Sequence, residues 1–213
     1  MIRAMRVLAI AGAIAAVPCA AAAQVEVSGG IVWSGGYDAS SLNAMESPNS
    51  STGGAPLTLF TTSARVPAVT GFDARAGIHL GSRVAAEGLF QLSRPKLRVK
   101  AGDDFENAVA EDVVGGFSSY LFGGSLVYHL GTGRVVPFVL GGGGYIRLLD
   151  EDNADVVTGG EVHAGGGVKV WFDAGRKFGA RVDAQASVRS KNPGFEDKRR
   201  VLPAVSAGLT FRF

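Results

Sequence analysis

The chain carries its reactive side chains as three histidines and a scatter of charges spaced at alternate positions in apolar stretches. His79, His129 and His163 are the histidines. A hydrolytic site needs an activated water or a Ser beside a His that a third group orients. No Ser stands in evident partnership with any of the three, which fall in separate segments, so hydrogen-bonded fillers are expected rather than bases. Asp150, Glu151, Asp152 and Asp155 cluster and could hold Ca²⁺ or Mg²⁺ through oxygen ligands. The cluster lacks the glycine and distal Glu of a calcium loop, so a solvated acidic turn is expected there. No catalytic residue, cofactor or metal is expected. A lipid-modifying enzyme using His163 or His79 is the third-ranked reading.

The alternating charges carry more information. Asp73, Arg75, His79, Glu87, Gln91, Arg147, Glu161, His163, Lys169, Arg181, Asp183, Gln185, Arg189 and Arg212 each interrupt an apolar run. Side chains two apart on a strand share a face, so such charges define one wall and the apolar residues the other. Charges gathered in a narrow interior are costly unless paired. Strand pairing supplies partners: Glu87 opposite Gly77, with Arg75 and His79 on its diagonals, and Arg147 opposite Glu161 if that hairpin turns about Ala154.

Eight segments with period-two alternation would position these residues. Val25 to Ser34 presents Val25, Val27, Ile31 and Trp33 outward. Val69 to Leu80 presents Phe72, Ala74, Ala76, Ile78 and Leu80. Val84 to Ser93 presents Val84, Ala86, Phe90 and Leu92. Phe117 to Leu130 presents Tyr120, Phe122, Leu126, Tyr128 and Leu130. Val135 to Leu149 is read with Val136, Phe138, Leu140, Ile146 and Leu148 outward. Gly159 to Phe172 presents Val162, Ala164, Val168, Val170 and Phe172. Phe178 to Arg189 presents Phe178, Val182, Ala184 and Val188. Leu202 to Phe213 presents Val205, Leu209, Phe211 and Phe213.

Connection lengths alternate, which is independent support. Residues 81–83, 131–134 and 173–177 are short, whereas 35–68, 94–116, 150–158 and 190–201 are longer. Short periplasmic turns alternating with longer outward loops belong to a membrane barrel. Tyr128, Phe138, Phe172, Phe178 and Phe211 would form a periplasmic aromatic girdle, and Trp33, Phe72 and Tyr120 an outer one. The first loop, rich in Ser, Thr, Asn and Gly, is expected to be mobile. The second carries Arg94, Lys96, Arg98 and Lys100, which could contact lipopolysaccharide phosphates or simply solvate a hairpin. It continues with Asp103, Asp104 and Glu106. Lys198, Arg199 and Arg200 form a basic rim run.

The ends point to export. Arg3 and Arg6, the apolar run Val7 to Val17 and the small residues Ala20 to Ala23 have the form of a signal peptide cut after Ala23. Residues 1–23 are therefore expected as leader and 24–213 as one barrel domain. The lesser reading is lipidation at Cys19, which Pro18 disfavours. Removing the leader takes away two of the 21 Lys and Arg and none of the 19 Asp and Glu, leaving the charges equal. That balance gives no support for nucleic-acid binding. It also removes the one cysteine, excluding disulfides and thiolate chemistry from the remainder.

The closing residues Ala207 to Phe213 alternate and finish Phe211-Arg-Phe213. With the eight segments, this ending resembles the small eight-stranded outer-membrane barrels, the superfamily of the OmpA transmembrane domain, OmpX and the opacity proteins. The resemblance implies an all-β, antiparallel, up-and-down transmembrane barrel in the bacterial outer membrane. It further implies that Phe211 and Phe213 are read by the barrel assembly machinery, and that outer-membrane lipids and lipopolysaccharide are the neighbours. No periplasmic domain is expected after Phe213. The fold transfers no activity, because this superfamily hosts anchors, adhesins, pores and enzymes.

An interior of eight strands is just wide enough for its own side chains. A salt-bridged, filled lumen is the leading expectation, with action in envelope structure or surface interaction through the outer loops. The alternative is a small porin-like channel, which inward Gly77, Ala85, Gly141, Gly143, Gly165 and Gly167 leave open. A soluble periplasmic barrel such as a lipocalin is the fold-level rival. The extracellular partner is not specified by the sequence.

Overall fold

The computed structural model describes residues 24–45, 58–102, 111–150, 156–189 and 200–213. The expected leader, the acidic residues 103, 104, 106, 151, 152 and 155, and Lys198 and Arg199 lie outside the described residues. The strands are β1 (Val25–Ser34), β2 (Tyr37–Met45), β3 (Thr58–Val66), β4 (Val69–His79), β5 (Val84–Ser93), β6 (Lys96–Gly102), β7 (Glu111–His129), β8 (Val135–Asp150), β9 (Val156–Trp171), β10 (Phe178–Arg189) and β11 (Arg200–Arg212).

Eight of these close an antiparallel barrel. The order is β1-β4-β5-β7-β8-β9-β10-β11, and β11 pairs back onto β1 from Glu26↔Arg212 to Ser34↔Ala204. Successive strands are staggered, so the row leaving β1 at Glu26 passes Gly77, Glu87, Ser125, Gly142, His163, Ser187 and Leu202 and returns to β1 beyond Ser34. This stagger is what closing a tilted sheet requires. It also brings residues that are distant in sequence to one height in the lumen.

The outer surface is apolar. Val27, Ile31, Leu126, Val162, Val182 and Leu209 are exposed, with Ile31 63% and Val162 69% accessible. Trp33, Phe72 and Phe122 stand near the outer rim of this belt. At the other end Phe172, Phe178 and Phe211 form a strip, with ring centroids 5.3 and 4.9 Å apart. Two aromatic girdles flanking an outward apolar band are the marks of a barrel in a bilayer. A soluble barrel would have to bury this belt, whereas a bilayer covers it, and the chain is an outer-membrane barrel.

Two expectations need correction. The segments read as long outer loops contain strands, β2 and β3 within 35–68, and β6 with the start of β7 within 94–116, where the hairpin reading of the second segment agrees with the β6–β7 pairing. These pair in the order β2-β3-β6-β7 and continue the wall past the barrel rim. Period-two patterning runs through the loops too, since Ala64 and Val66 are buried while Ser63 and Arg65 are exposed. The composition of the loops concealed it.

The second correction concerns β8. Val136, Phe138, Leu140, Ile146 and Leu148 are buried inside, and Val135, Val139, Tyr145 and Arg147 face out. Both faces of VVPFVLGGGGYIRLLD are apolar, so the larger residues mimic a lipid face. The interior choice wins because β5 and β7 offer apolar partners there. Val136, Phe138 and Leu140 lie toward the periplasmic end, where Phe138 and Leu140 pack with Ala85 and Val127. Ile146 and Leu148 pack with Leu89 and Leu121 higher up. The inward glycines of β8 are consequently Gly142 and Gly144, and not Gly141 and Gly143.

Candidate functional site

The barrel interior is two-sided: β7 and β8, with Ala85 and Leu89 of β5, line it with aliphatic side chains, and Glu87 of β5 with the remaining wall supplies charge. Asp183 of β10 is the hub of the upper half of the charged cluster. It accepts from Arg75 Nη2 at 3.0 Å, from Arg181 Nε at 2.9 Å and from the Ser206 hydroxyl at 3.1 Å. Arg75 Nε also donates to Asp73 at 3.0 Å. Arg181 Nη1 reaches both Glu87 oxygens at 2.9 Å and stacks over the Phe138 ring, 4.6 Å from its centroid.

Glu26 is the second hub, nearer the periplasm. It accepts from Lys169, from Thr210 Oγ1 at 3.1 Å and from Arg212 Nη2 at 3.1 Å, and lies 3.2 Å from His79 Nε2. Lys169 also lies 3.5 Å from Glu87, joining the two hubs. Its third contact is His129 Nε2 at 3.2 Å. An ammonium only donates, so this nitrogen accepts, and the other ring nitrogen carries the proton that goes to the Arg83 carbonyl at 3.2 Å. His129 is thereby held as a neutral ring, stacked 5.2 Å from His79.

The charges balance. Glu26, Asp73, Glu87 and Asp183 face Arg75, Lys169, Arg181 and Arg212, four of each sign in one continuous network. A fifth pair stands apart higher in the barrel, Arg189 Nε to Glu161 at 2.7 Å. A buried charge is tolerated only when paired and hydrogen-bonded, and these carboxylates each meet that condition. The residues expected as lumen charges, namely Asp73, Arg75, His79, Glu87, Glu161, His163, Lys169, Arg181, Asp183, Arg189 and Arg212, are placed on the interior. Arg147 is not: it faces outward, opposite Thr158 rather than Glu161, which pairs with Gly144. Its misplacement follows from the reversed parity of β8.

Two groups escaped the sequence reading. Glu26 lies between outward Val25 and Val27, so the alternation alone marks it as interior. Ser125 was harder to find. Its Oγ is 2.8 Å from His163 Nε2, two strands away. They meet over Gly142, where an added Cβ would come within 2.0 Å of the Gly124 carbonyl and 2.8 Å of Ser125 Oγ. Only a glycine there permits the contact.

Ser125, His163 and Glu161 have the residue types of a nucleophilic triad but not its geometry. His163 Nδ1 is 3.6 Å from Glu161, which Arg189 already engages. An oxyanion needs preorganised donors, backbone N–H groups or polar side chains. Ser125 lies within the ladders to both β5 and β8, where the backbone N–H groups are consumed. Neither Ser125 nor His163 lines the mouth cavity or the periplasmic vestibule.

Separate cavities lie along the barrel. A periplasmic vestibule of about 240 Å³ is floored by His79, His129, Trp171 and Arg212. A small cavity of about 10 Å³ lies among Ser28, Asp73, Arg181 and Ser206 in the charged cluster. The outer mouth, lined by Tyr37, Val66, Phe117, Leu148 and Leu202, holds about 30 Å³. Arg200 bolts the outer extension across this mouth, donating to the Ala39 carbonyl at 2.6 Å and stacking on Tyr37. Burial pushes the Tyr37 hydroxyl up to about 12, so it stays neutral there.

No known family pattern and no curated protein matches the sequence. Solved structures do. The backbone is similar to the outer membrane protein OprG from Pseudomonas aeruginosa, with TM-score 0.60 and 10% identity over 90% of this chain and 96% of that one. It is also similar to Neisserial surface protein A, with TM-score 0.49 and 12% identity over 89% and 97% of the two chains. A third is Ail of Yersinia pestis in complex with the heparin analogue sucrose octasulfate, with TM-score 0.49 and 15% identity over 90% and 99%. At this identity the likeness to OprG speaks for the fold.

Proposed function

We propose that this small outer-membrane β-barrel is a closed, non-enzymatic surface protein, acting in envelope structure or surface interaction through the sheet it raises above the rim. The observation that carries this reading is the charge-balanced network of buried, mutually paired side chains from β1, β4, β5, β9, β10 and β11 across the lumen. A hydrated ion needs a continuous polar path, and the paired side chains occupy it. The outer sheet of β2, β3, β6 and the start of β7 supplies the surface that such a protein would present. Outer-membrane lipids and lipopolysaccharide are its immediate partners. The barrel assembly machinery would read Phe211 and Phe213, both of which face outward at the periplasmic end.

A liposome-swelling assay with small sugars and amino acids tests the closed lumen. The expected result is a swelling rate equal to that of protein-free liposomes. Solute-dependent swelling would instead establish the porin-like alternative.

A further inference from the structure

The outward placement of Arg147 leaves a guanidinium on the membrane side of the barrel. It sits in the row Leu92↔Tyr120↔Arg147↔Thr158, at the level where Tyr120 ends the outer part of the lipid-facing surface. An Arg on the lipid face is costly at the bilayer midplane and nearly free at the interface, where it meets headgroups. Outward neighbours Tyr145, Leu149, Ser118 and Thr158 include no acid. Arg147 makes no ion pair among the described residues.

Further cations converge on the same sector. Arg94 continues the outward side of β5, and exposed Lys96 and Arg98 follow on β6, opposite Gly116 and Val114 of β7. They too make no ion pair among the described residues. The acids nearest in register lie higher or to the side: Asp112 opposite Lys100, and Asp38, 3.7 Å from Arg65. Arg94, Lys96 and Arg98 stand on one side of β7 and Arg147 on the other, two strand spacings or about 10 Å to the side. Lys96 opposite Gly116 and Arg98 opposite Val114 step further up from the Tyr120 level of Arg147. Only Gly116 and Ser118 lie between them. The four cations thus form a ladder along the outer side of this small-residue strip, long enough to meet more than one phosphate.

We propose that Arg94, Lys96, Arg98 and Arg147 form a cradle for the phosphate groups of an outer-leaflet glycolipid, seated over Gly116 and Ser118 directly above the lipid-facing belt. The occupant follows from charge and position. The cradle is cationic without internal acids, and its base continues into apolar surface at Leu92, Tyr120 and Phe122, which acyl chains would cover. Guanidinium groups bind phosphate through two parallel hydrogen bonds. A soluble polyanion would gain nothing from that apolar continuation. This deepens the lipid partnership proposed above and rests on it.

The test uses the full chain refolded in detergent and fluorescent lipid A, in its bisphosphorylated and dephosphorylated forms. Each variant's heat-dependent gel shift confirms that its barrel is intact. Tighter binding of the phosphorylated lipid is expected, with a loss of about tenfold for Arg147→Gln and a larger loss for Arg94→Gln/Lys96→Gln. Arg65→Gln, paired with Asp38 away from Arg147, should change nothing. Equal affinity for both lipid forms, or no effect of Arg147→Gln, would overturn the proposal. So would inorganic phosphate or a sulfated polysaccharide binding the cradle as tightly as the lipid. Such a failure is distinct from failure of the closed-lumen reading, because the swelling assay reports independently of lipid preference.

Discussion

Glu87 holds two cations at once, Arg181 through both oxygens and Lys169 at 3.5 Å, with 7% of its surface accessible. Removing one partner of such a set leaves the others charged in a desolvated interior, which costs about 3–5 kcal/mol. Glu87→Gln should lower barrel stability by that amount, read as an earlier loss of the heat-resistant gel band in urea. A near-neutral result would mean that water, not protein, compensates Arg181. At this scale the sequence was informative wherever alternation was clean, as in β4 and β10, where Asp73, Arg75, Arg181 and Asp183 fall on one parity. It was silent on the contact between Ser125 and His163, because a contact across an intervening glycine depends on the stagger of three strands and not on any local pattern.

At the scale of the element, β8 shows what alternation cannot decide. A strand apolar on both faces carries no parity signal, and its orientation is fixed by what its neighbours β5 and β7 leave to be filled. The assignment has a direct check, since the one cysteine of the chain lies in the expected leader. Spin labels at Val139→Cys and Tyr145→Cys should report lipid-soluble quenchers strongly, and labels at Leu140→Cys and Ile146→Cys weakly. The reverse pattern would restore the parity read from the sequence.

The β9–β10 turn offers a second check. Asp173 accepts the backbone N–H groups of Lys177 and Phe178 at 2.9 Å each. These hydrogen bonds favour the ionised form and hold its carboxyl below the ordinary aspartate value. The folded turn therefore binds its proton at lower pH than the unfolded chain. Its contribution is complete at neutral pH and is lost as pH falls through the folded value. Asp173→Ala should reduce the urea midpoint slightly at pH 7, and the difference from wild type should vanish in acid. A difference that persists at low pH would assign the effect to the turn's packing instead.

Over the whole molecule, the eight-stranded barrel was legible because three separate signals agreed: alternation, loop-length alternation and aromatic girdles. The strands raised above the rim were not, since β2, β3 and β6 pair chiefly with one another and with β7, and the Ser and Thr content of β2 and β3 and the basic residues of β6 read as loop. The combined result is a lipid-facing cylinder whose interior carries a network of four carboxylates and four cations, the basis of the closed lumen proposed above. The most direct test is single-channel recording in planar bilayers, with wild type beside Glu87→Ala. The structure predicts no steady conductance for wild type and intermittent openings once the network loses the carboxylate that joins Lys169 to Arg181. A stable, ion-selective current from the wild-type protein would contradict the plugged lumen.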